Sequence, residues 1–216
     1  MDCKKFFRLQ YCALVFALYK YRACKYTCIV GEPVVIDVNK VEAARGGDKD
    51  CFAQVYECIA PDLYKVALYT LGNAHDAEDV VSEAFIEAYR GIANLRDASS
   101  FKPWMMKILS VRCKRKVAEY VKHKNTFDIE GFMTTLSDET DLGHDISEQV
   151  TVIDALGRLN SKERQIIALS VLQGYSNKEI AQILGAPQGT VSSKLHRSLV
   201  KLRKMLEAGG KQELKR

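Results

Sequence analysis

The chain has 216 residues, enough for one or two small domains. With 47% hydrophobic and 27% charged residues, 13 Gly and 4 Pro, its composition excludes a disordered, collagen-like or low-complexity polymer and predicts a soluble globular protein. The net charge of +5 suits an anionic partner without demanding one, and its distribution says more. Residues 1–40 carry 7 basic and 3 acidic groups, 41–124 carry 13 and 12, 125–150 carry 0 and 7, and 151–216 carry 12 and 5. The acidic run has no sustained apolar periodicity, so it reads as a solvated linker between two domains.

Four of the seven cysteines, Cys3, Cys12, Cys24 and Cys28, fall in the first 28 residues. No pair is spaced C-x-x-C and no His stands near Cys24 and Cys28, which argues against a metal site. Cys51, Cys58 and Cys113 are expected to be reduced core thiols. Lys4, Lys5 and Arg8 precede an uncharged run from Leu9 to Tyr19, which imitates a signal peptide but is too short to span a bilayer. Residues 1–40 therefore read either as an interfacial arm or as sequence upstream of the true start. The latter would use a Val or Ile codon at Val34, Val35, Ile36, Val38 or Val41.

From Asn39 onward helix follows helix, and strand alternation is nearly absent. Asp48 is the expected N-cap of a helix from Lys49 to Ile59, with Phe52, Val55, Tyr56 and Ile59 on its core face. Pro61 suits the first turn of a second helix ending near Leu71. Asn73 caps the next one, with Asp76 and Glu78 near the positive end of its dipole. In that helix Ala77, Val80, Val81, Ala84, Phe85, Ala88 and Tyr89 form a core stripe. Asp79, Ser82, Glu83 and Ile86 share the opposite face. They form either a solvated face with one stray Ile, or a docking surface in which Ile86 supplies burial and the acids supply register.

Charge then inverts. Between Ser99 and Lys124 stand eight basic residues against Glu119 alone. Arg112, Lys114, Arg115 and Lys116 place four cations in five positions, interrupting any core face. Such a cluster suits a phosphate backbone, and neighbouring aromatics can stack on an unpaired base. Trp104 reads as core.

The C-terminal part carries the most specific pattern. Ser176 and Glu179 make a capping box, Ile180, Ala181 and Leu184 an apolar face, and Gly185 a helix stop. A second helix starts near Pro187. Ala181, Gly185 and Val191 have the spacing of a helix-turn-helix: small Ala permits close crossing, Gly the turn, and Val the return packing. Val191, Leu195, Leu199, Leu202 and Leu206 form the buried stripe. Thr190, Ser192, Ser193, Lys194, His196 and Arg197 lie on or beside the face offered to a major groove. Lys201, Arg203 and Lys204 are expected at backbone phosphates or in water.

The segments DAEDVVSEAF, FKPWMMKIL with its basic run, the acidic linker, and ALGRLNSKERQIIALSVLQGYSNKEIAQILGAPQGTVSSKLHRSLVKLRKML together resemble a group IV, extracytoplasmic-function sigma factor of the sigma-70 family of bacterial RNA polymerase. The resemblance spans about residues 41 to 206. It implies an all-α fold of two small helical domains: a region 2-like domain at 41–124 and a region 4-like helix-turn-helix domain at 151–208, followed by a tail at 209–216. The linker at 125–150 would thread the polymerase channels. It also implies a promoter-specificity subunit, not an enzyme and without cofactor or small-molecule substrate.

By the same resemblance, Asp79, Ser82, Glu83 and Ile86 would dock on the β′ clamp helices of core polymerase. Arg96, Ser99, Ser100, Phe101 and Trp104 would hold a flipped base of the single-stranded −10 element, and Arg112, Lys114, Arg115 and Lys116 the strand itself. Thr190, Ser192, Ser193, Lys194, His196 and Arg197 would read duplex DNA at −35, beside surfaces that meet the β flap. An anti-sigma factor is expected as a regulator, and the cytoplasm as the working compartment, with membrane retention through that partner. The chain departs from the family with Ser82 where Gln is common, and with Val111 and Arg115 where Asn and Asp are common. A repressor or response-regulator output module would share the helix-turn-helix but needs a ligand pocket or phosphoacceptor in 41–124. A pure protein-interaction adaptor would not need the basic stripe.

Overall fold

The computed structural model describes residues 36–123 and 155–213, with side chains to Glu207. The expectations for residues 1–35 and for the acidic linker at 125–150 lie outside the described residues. The described residues form helices joined by short turns: α1 Val38–Arg45, α2 Lys49–Leu71, α3 Ala74–Gly91, 3₁₀ turns at Ile92–Asn94 and Ala98–Ser100, and α4 Phe101–His123. A helical stretch at 155–157 then precedes α5 Ser161–Ile167, a π-helical segment Ala168–Leu172, α6 Asn177–Leu184 and α7 Gln188–Glu213.

Local sequence sets the boundaries. Asp48 accepts hydrogen bonds from the Asp50 and Cys51 amides, and Asn73 from the Asp76 amide, each satisfying donors left free at a helix start. Ser176 and Glu179 form the expected reciprocal box, and Asn160 with Glu163 forms a second. Gly72 and Gly185 end α2 and α6 in the left-handed region, with φ of 77° and 61°. Pro61, however, does not open a new helix. It sits buried inside the continuous α2, where the apolar face from Phe52 through Ile59 to Leu63 and Val66 holds the helix together across the missing amide donor.

The first bundle packs α2 against α1, α3 and α4. Val41, Phe52, Val55, Ile59, Leu63, Met105, Met106 and Leu109 are each at most 2% exposed, a set in which each large side chain contributes about 1.5–3 kcal/mol. Three expectations change here. Tyr89 is 45% exposed, with its ring edge-on to Phe52 at 5.2 Å between centroids. Cys58 is exposed and Cys51 half-buried, so among the described cysteines only Cys113 is a core thiol, its pKa pushed by burial up to about 12. Because Cys113 lies inside the basic run, that run does not interrupt the core face of α4.

The second bundle wraps α5, the π-helical segment and α6 around α7, where Val191, Leu195 and Leu202 are buried and Leu199 and Leu206 partly so. The two bundles are not independent. One continuous apolar core runs through both. Arg164 of α5, 2% exposed, donates from Nε and one terminal nitrogen to the Thr70 carbonyl at 3.2 and 2.9 Å, near the C-terminus of α2. Its other terminal nitrogen donates to the Leu159 carbonyl at 2.7 Å. Burial lowers the guanidinium pKa to about 10, leaving a cation at neutral pH that caps carbonyls at the negative end of the α2 dipole.

Candidate polymerase and DNA interfaces

Three surfaces are built from these elements. On α3, the core stripe of Ala77, Val80, Val81, Ala84 and Ala88 forces the alternate positions outward. Asp79, Ser82, Glu83 and Ile86 are all exposed, Ile86 by 49%, and Tyr89 adds a second outward apolar ring one turn on. An exposed Ile and Tyr among carboxylates is an anchor-and-rim arrangement of the kind found at protein interfaces.

Four acids of α3, Asp76, Asp79, Glu83 and Glu87, have partners within the chain. Arg112 donates to Glu87 from Nε and a terminal nitrogen, both at 2.6 Å, and to Glu83 at 3.1 Å. Lys116 lies 2.8 Å from Asp76 and 3.7 Å from Asp79, and the Tyr120 hydroxyl donates to Asp76. Hydrogen bonding to Glu87 raises the pKa of Arg112, and hydrogen bonding to Asp76 raises that of Lys116. Their side chains are only 24% and 25% exposed. Of the four cations expected to hold the strand, Arg112 and Lys116 are thus engaged with α3. Positions 112 and 116 are four apart, so both turn toward α3, while Lys114 and Arg115 remain exposed.

The connection from α3 to α4 is a tight loop pinned by Ile92, Leu95 and Ala98, all buried. Asp97 organises its tip. Its carboxylate accepts from the Ser99 amide at 2.9 Å, the Ser99 hydroxyl at 2.6 Å and the Ser100 hydroxyl at 3.0 Å. These bonds, the Ser99 hydroxyl first, hold its pKa below the ordinary Asp value. Arg96 and Ser99 are exposed and Ser100 is half-buried, but Phe101 is 1% exposed, which corrects its expected place at the pocket surface. Trp104 is half-buried, 5.9 Å from the Phe101 ring between centroids, with its ring edge against Gly91. Asp97 was missed by sequence reasoning, although an Asp two and three residues before Ser is a recognisable local turn signal.

The third surface is the start of α7. Val191 and Leu195 face inward, so Thr190, Ser192, Ser193, His196 and Arg197 are exposed and Lys194 is half-buried. The Ser193 hydroxyl donates back to the Gly189 carbonyl at 2.5 Å, and Arg197 Nε to the Ser193 carbonyl at 3.1 Å. The outer face is thus pre-arranged along the helix. Lys201 is exposed, and it also has a partner within the chain. It pairs with Glu163 at 2.7 Å and so fixes α7 to the cap of α5. Burial works to raise the Glu163 pKa, but the Lys201 and Asn160 hydrogen bonds outweigh it and lower it.

A helix-turn-helix joined to a second helical bundle with an acidic, Ile-bearing face defines a DNA-reading protein with a separate surface for a protein partner. Comparison gives the class its identity. The family model "Sigma-70 region 2" matches residues 55–121, and "Sigma-70, region 4" matches residues 149–202. The chain belongs to the sigma-70 family. It is 29% identical over 180 residues to the ECF RNA polymerase sigma factor SigW of Bacillus subtilis (strain 168), a match covering 78% of this chain and 95% of that protein. It is 26% identical over 170 residues to the ECF RNA polymerase sigma factor SigM of Mycobacterium tuberculosis (strain ATCC 25618 / H37Rv), covering 79% and 84%. Among solved structures, the fold matches CnrH in complex with the cytosolic domain of CnrY, with a TM-score of 0.57, 21% identity and coverage of 81% and 99%. It also matches the sigma factor RpoE in complex with the anti-sigma factor NepR from Bartonella quintana, with a TM-score of 0.58, 21% identity and coverage of 72% and 96%.

Proposed function

We infer that the chain is an extracytoplasmic-function sigma factor that directs core RNA polymerase to specific promoters, recognising −35 and −10 elements and assisting their opening. It is a transcription initiation factor, not an enzyme. The single observation that carries this is the order of the two matched regions, region 2 before region 4, on a chain whose curated relatives are ECF sigma factors. Its partners are core polymerase, promoter DNA and an anti-sigma factor; one structural neighbour was solved with the anti-sigma factor NepR and another with the cytosolic domain of CnrY.

The residue assignments are those the family resemblance implies, and the exposure of most of these side chains supports them. The outward set Asp79, Ser82, Glu83 and Ile86 docks on the β′ clamp helices, with Tyr89 widening the apolar contact. The Arg96–Ser100 loop holds the flipped base of the opened −10 element, with Asp97 fixing the two serines. Flipping costs a few kcal/mol, which pocket contacts and cations together must offset. Thr190, Ser192, Ser193, His196 and Arg197, with Lys194 beside them, read the −35 duplex through the major groove. The region 4 flank meets the β flap, and the linker at 125–150 occupies the polymerase channels as a polyanion. No described helix is long and apolar enough to cross a membrane, and both nucleic acid and polymerase place the work in the cytoplasm.

Pull-down with core polymerase tests the reading. The wild-type chain is retained, and Ile86→Arg is lost while keeping its thermal transition. Equal retention of both would remove Ile86 from the docking face, and failure of the wild type to bind would end the sigma reading.

A further inference from the structure

Apart from Lys102, which pairs with Asp62 at 2.8 Å, the lysines and arginines of α4 fall into two sets facing different ways, and we propose that only one of them is the surface for the opened −10 strand: Lys107, Lys114, Arg115 and Lys122, arranged around Val111. Arg112 and Lys116 are instead positioning residues that fix α4 against α3. The proposal rests on the sigma-factor reading above and decides which side of the helix the DNA meets.

Electrostatics separates the two sets. Arg112 and Lys116 sit among Asp76, Asp79, Glu83 and Glu87, so that two cations face four carboxylates and the patch is net negative. A phosphate approaching it would be repelled, and stripping either cation away would leave its carboxylates unpaired. Lys107, Lys114, Arg115 and Lys122 are exposed, and none has an ion pair among the described residues. At about 100° per residue they span about 100° of arc, with Glu119 the lone acid at its margin. Lys107 and Lys122 are about 22 Å apart along the axis, comparable with roughly six phosphates at B-form spacing.

Val111 lies within this arc, 39% exposed. An apolar side chain ringed by cations gains nothing from water or from phosphate. It gains by packing on a base face or a thymine methyl, so it contributes to preference at one position without a hydrogen bond. The surface therefore grips the backbone with charge and tests one base by shape.

Salt dependence of binding of holoenzyme, reconstituted from core polymerase and the full chain, to a single-stranded −10 oligonucleotide tests this. Each of Lys107→Gln, Lys114→Gln and Lys122→Gln is expected to reduce the magnitude of the log K against log salt slope by about 0.7. Arg112→Gln and Lys116→Gln are expected to leave that slope unchanged while lowering the thermal midpoint of the free chain. Val111→Asn is expected to shift base preference at one −10 position and leave the slope alone. If Arg112→Gln or Lys116→Gln flattens the slope as much as Lys107→Gln, or if the three exposed Lys variants leave it intact, the proposal is overturned. The three Lys variants are at exposed positions and need no refolding of the core. Wild-type holoenzyme that selects promoters while the slopes fail to divide overturns this assignment alone; a wild type that selects none overturns the sigma reading.

Discussion

Arg197 shows how far a single residue could be read in advance. Its outward direction followed from helical period alone, because Val191 and Leu195 had to be buried. Its hydrogen bond to the Ser193 carbonyl did not, since that depends on rotamer choice. Replacing Arg197 with Ala is expected to cost about 1–3 kcal/mol of discrimination among −35 variants in a competition assay. Unchanged preference would remove it from base contact. The depressed carboxylates Asp48, Asp97, Glu163 and Glu179 each contribute to the acid sensitivity of the fold. Because their folded pKa values lie below the unfolded ones, their stabilisation is present above the ordinary carboxylate pKa of about 4–4.5. It is lost as pH falls through the lowered folded values. A thermal midpoint that holds from neutrality to about pH 5 and then falls is the expected profile. Arg112 and Lys116 illustrate the converse limit of residue reading, for their spacing announced a shared face but not that α3 would lie beneath it.

At the scale of elements, caps and stops were the most legible features, because each is decided within four residues. Asp48, Asn73, Ser176 with Glu179, and Gly185 all sit where local chemistry predicted. Pro61 was misread for the same reason: local rules make it a helix start, whereas burial on α2 is a tertiary effect. Gly185 carries the turn of the helix-turn-helix at φ 61°, and a Cβ built there meets no neighbour within 4 Å. Gly185→Ala should therefore cost only backbone strain, about 1–2 kcal/mol, read as a lower thermal midpoint with unchanged −35 preference in the folded fraction. A stability equal to wild type would mean the turn relaxes. Ser176→Ala tests the preceding cap, with an expected loss of about 1 kcal/mol by denaturant midpoint.

The whole molecule departs most from the sequence reading in the contact between the bundles. Charge and composition marked two domains on a tether, and nothing local could reveal that Arg164 would cross to Thr70, 94 residues away. That contact lies between two bundles that share one apolar core. Arg164→Met leaves the Thr70 and Leu159 carbonyls without their donor, a loss on the order of 1–3 kcal/mol. The expected result is a lower unfolding midpoint, measured by chemical denaturation, together with a larger radius in small-angle scattering. A compact variant of wild-type stability would show that the apolar contact alone holds the bundles together. Above all these contacts stands the claim that the chain gives a polymerase its choice of start site. Run-off transcription with purified core polymerase across a randomised promoter library measures it directly. Transcripts that appear only with the chain present, from templates sharing paired −35 and −10 sequences, are the predicted result; initiation with no template preference would contradict it.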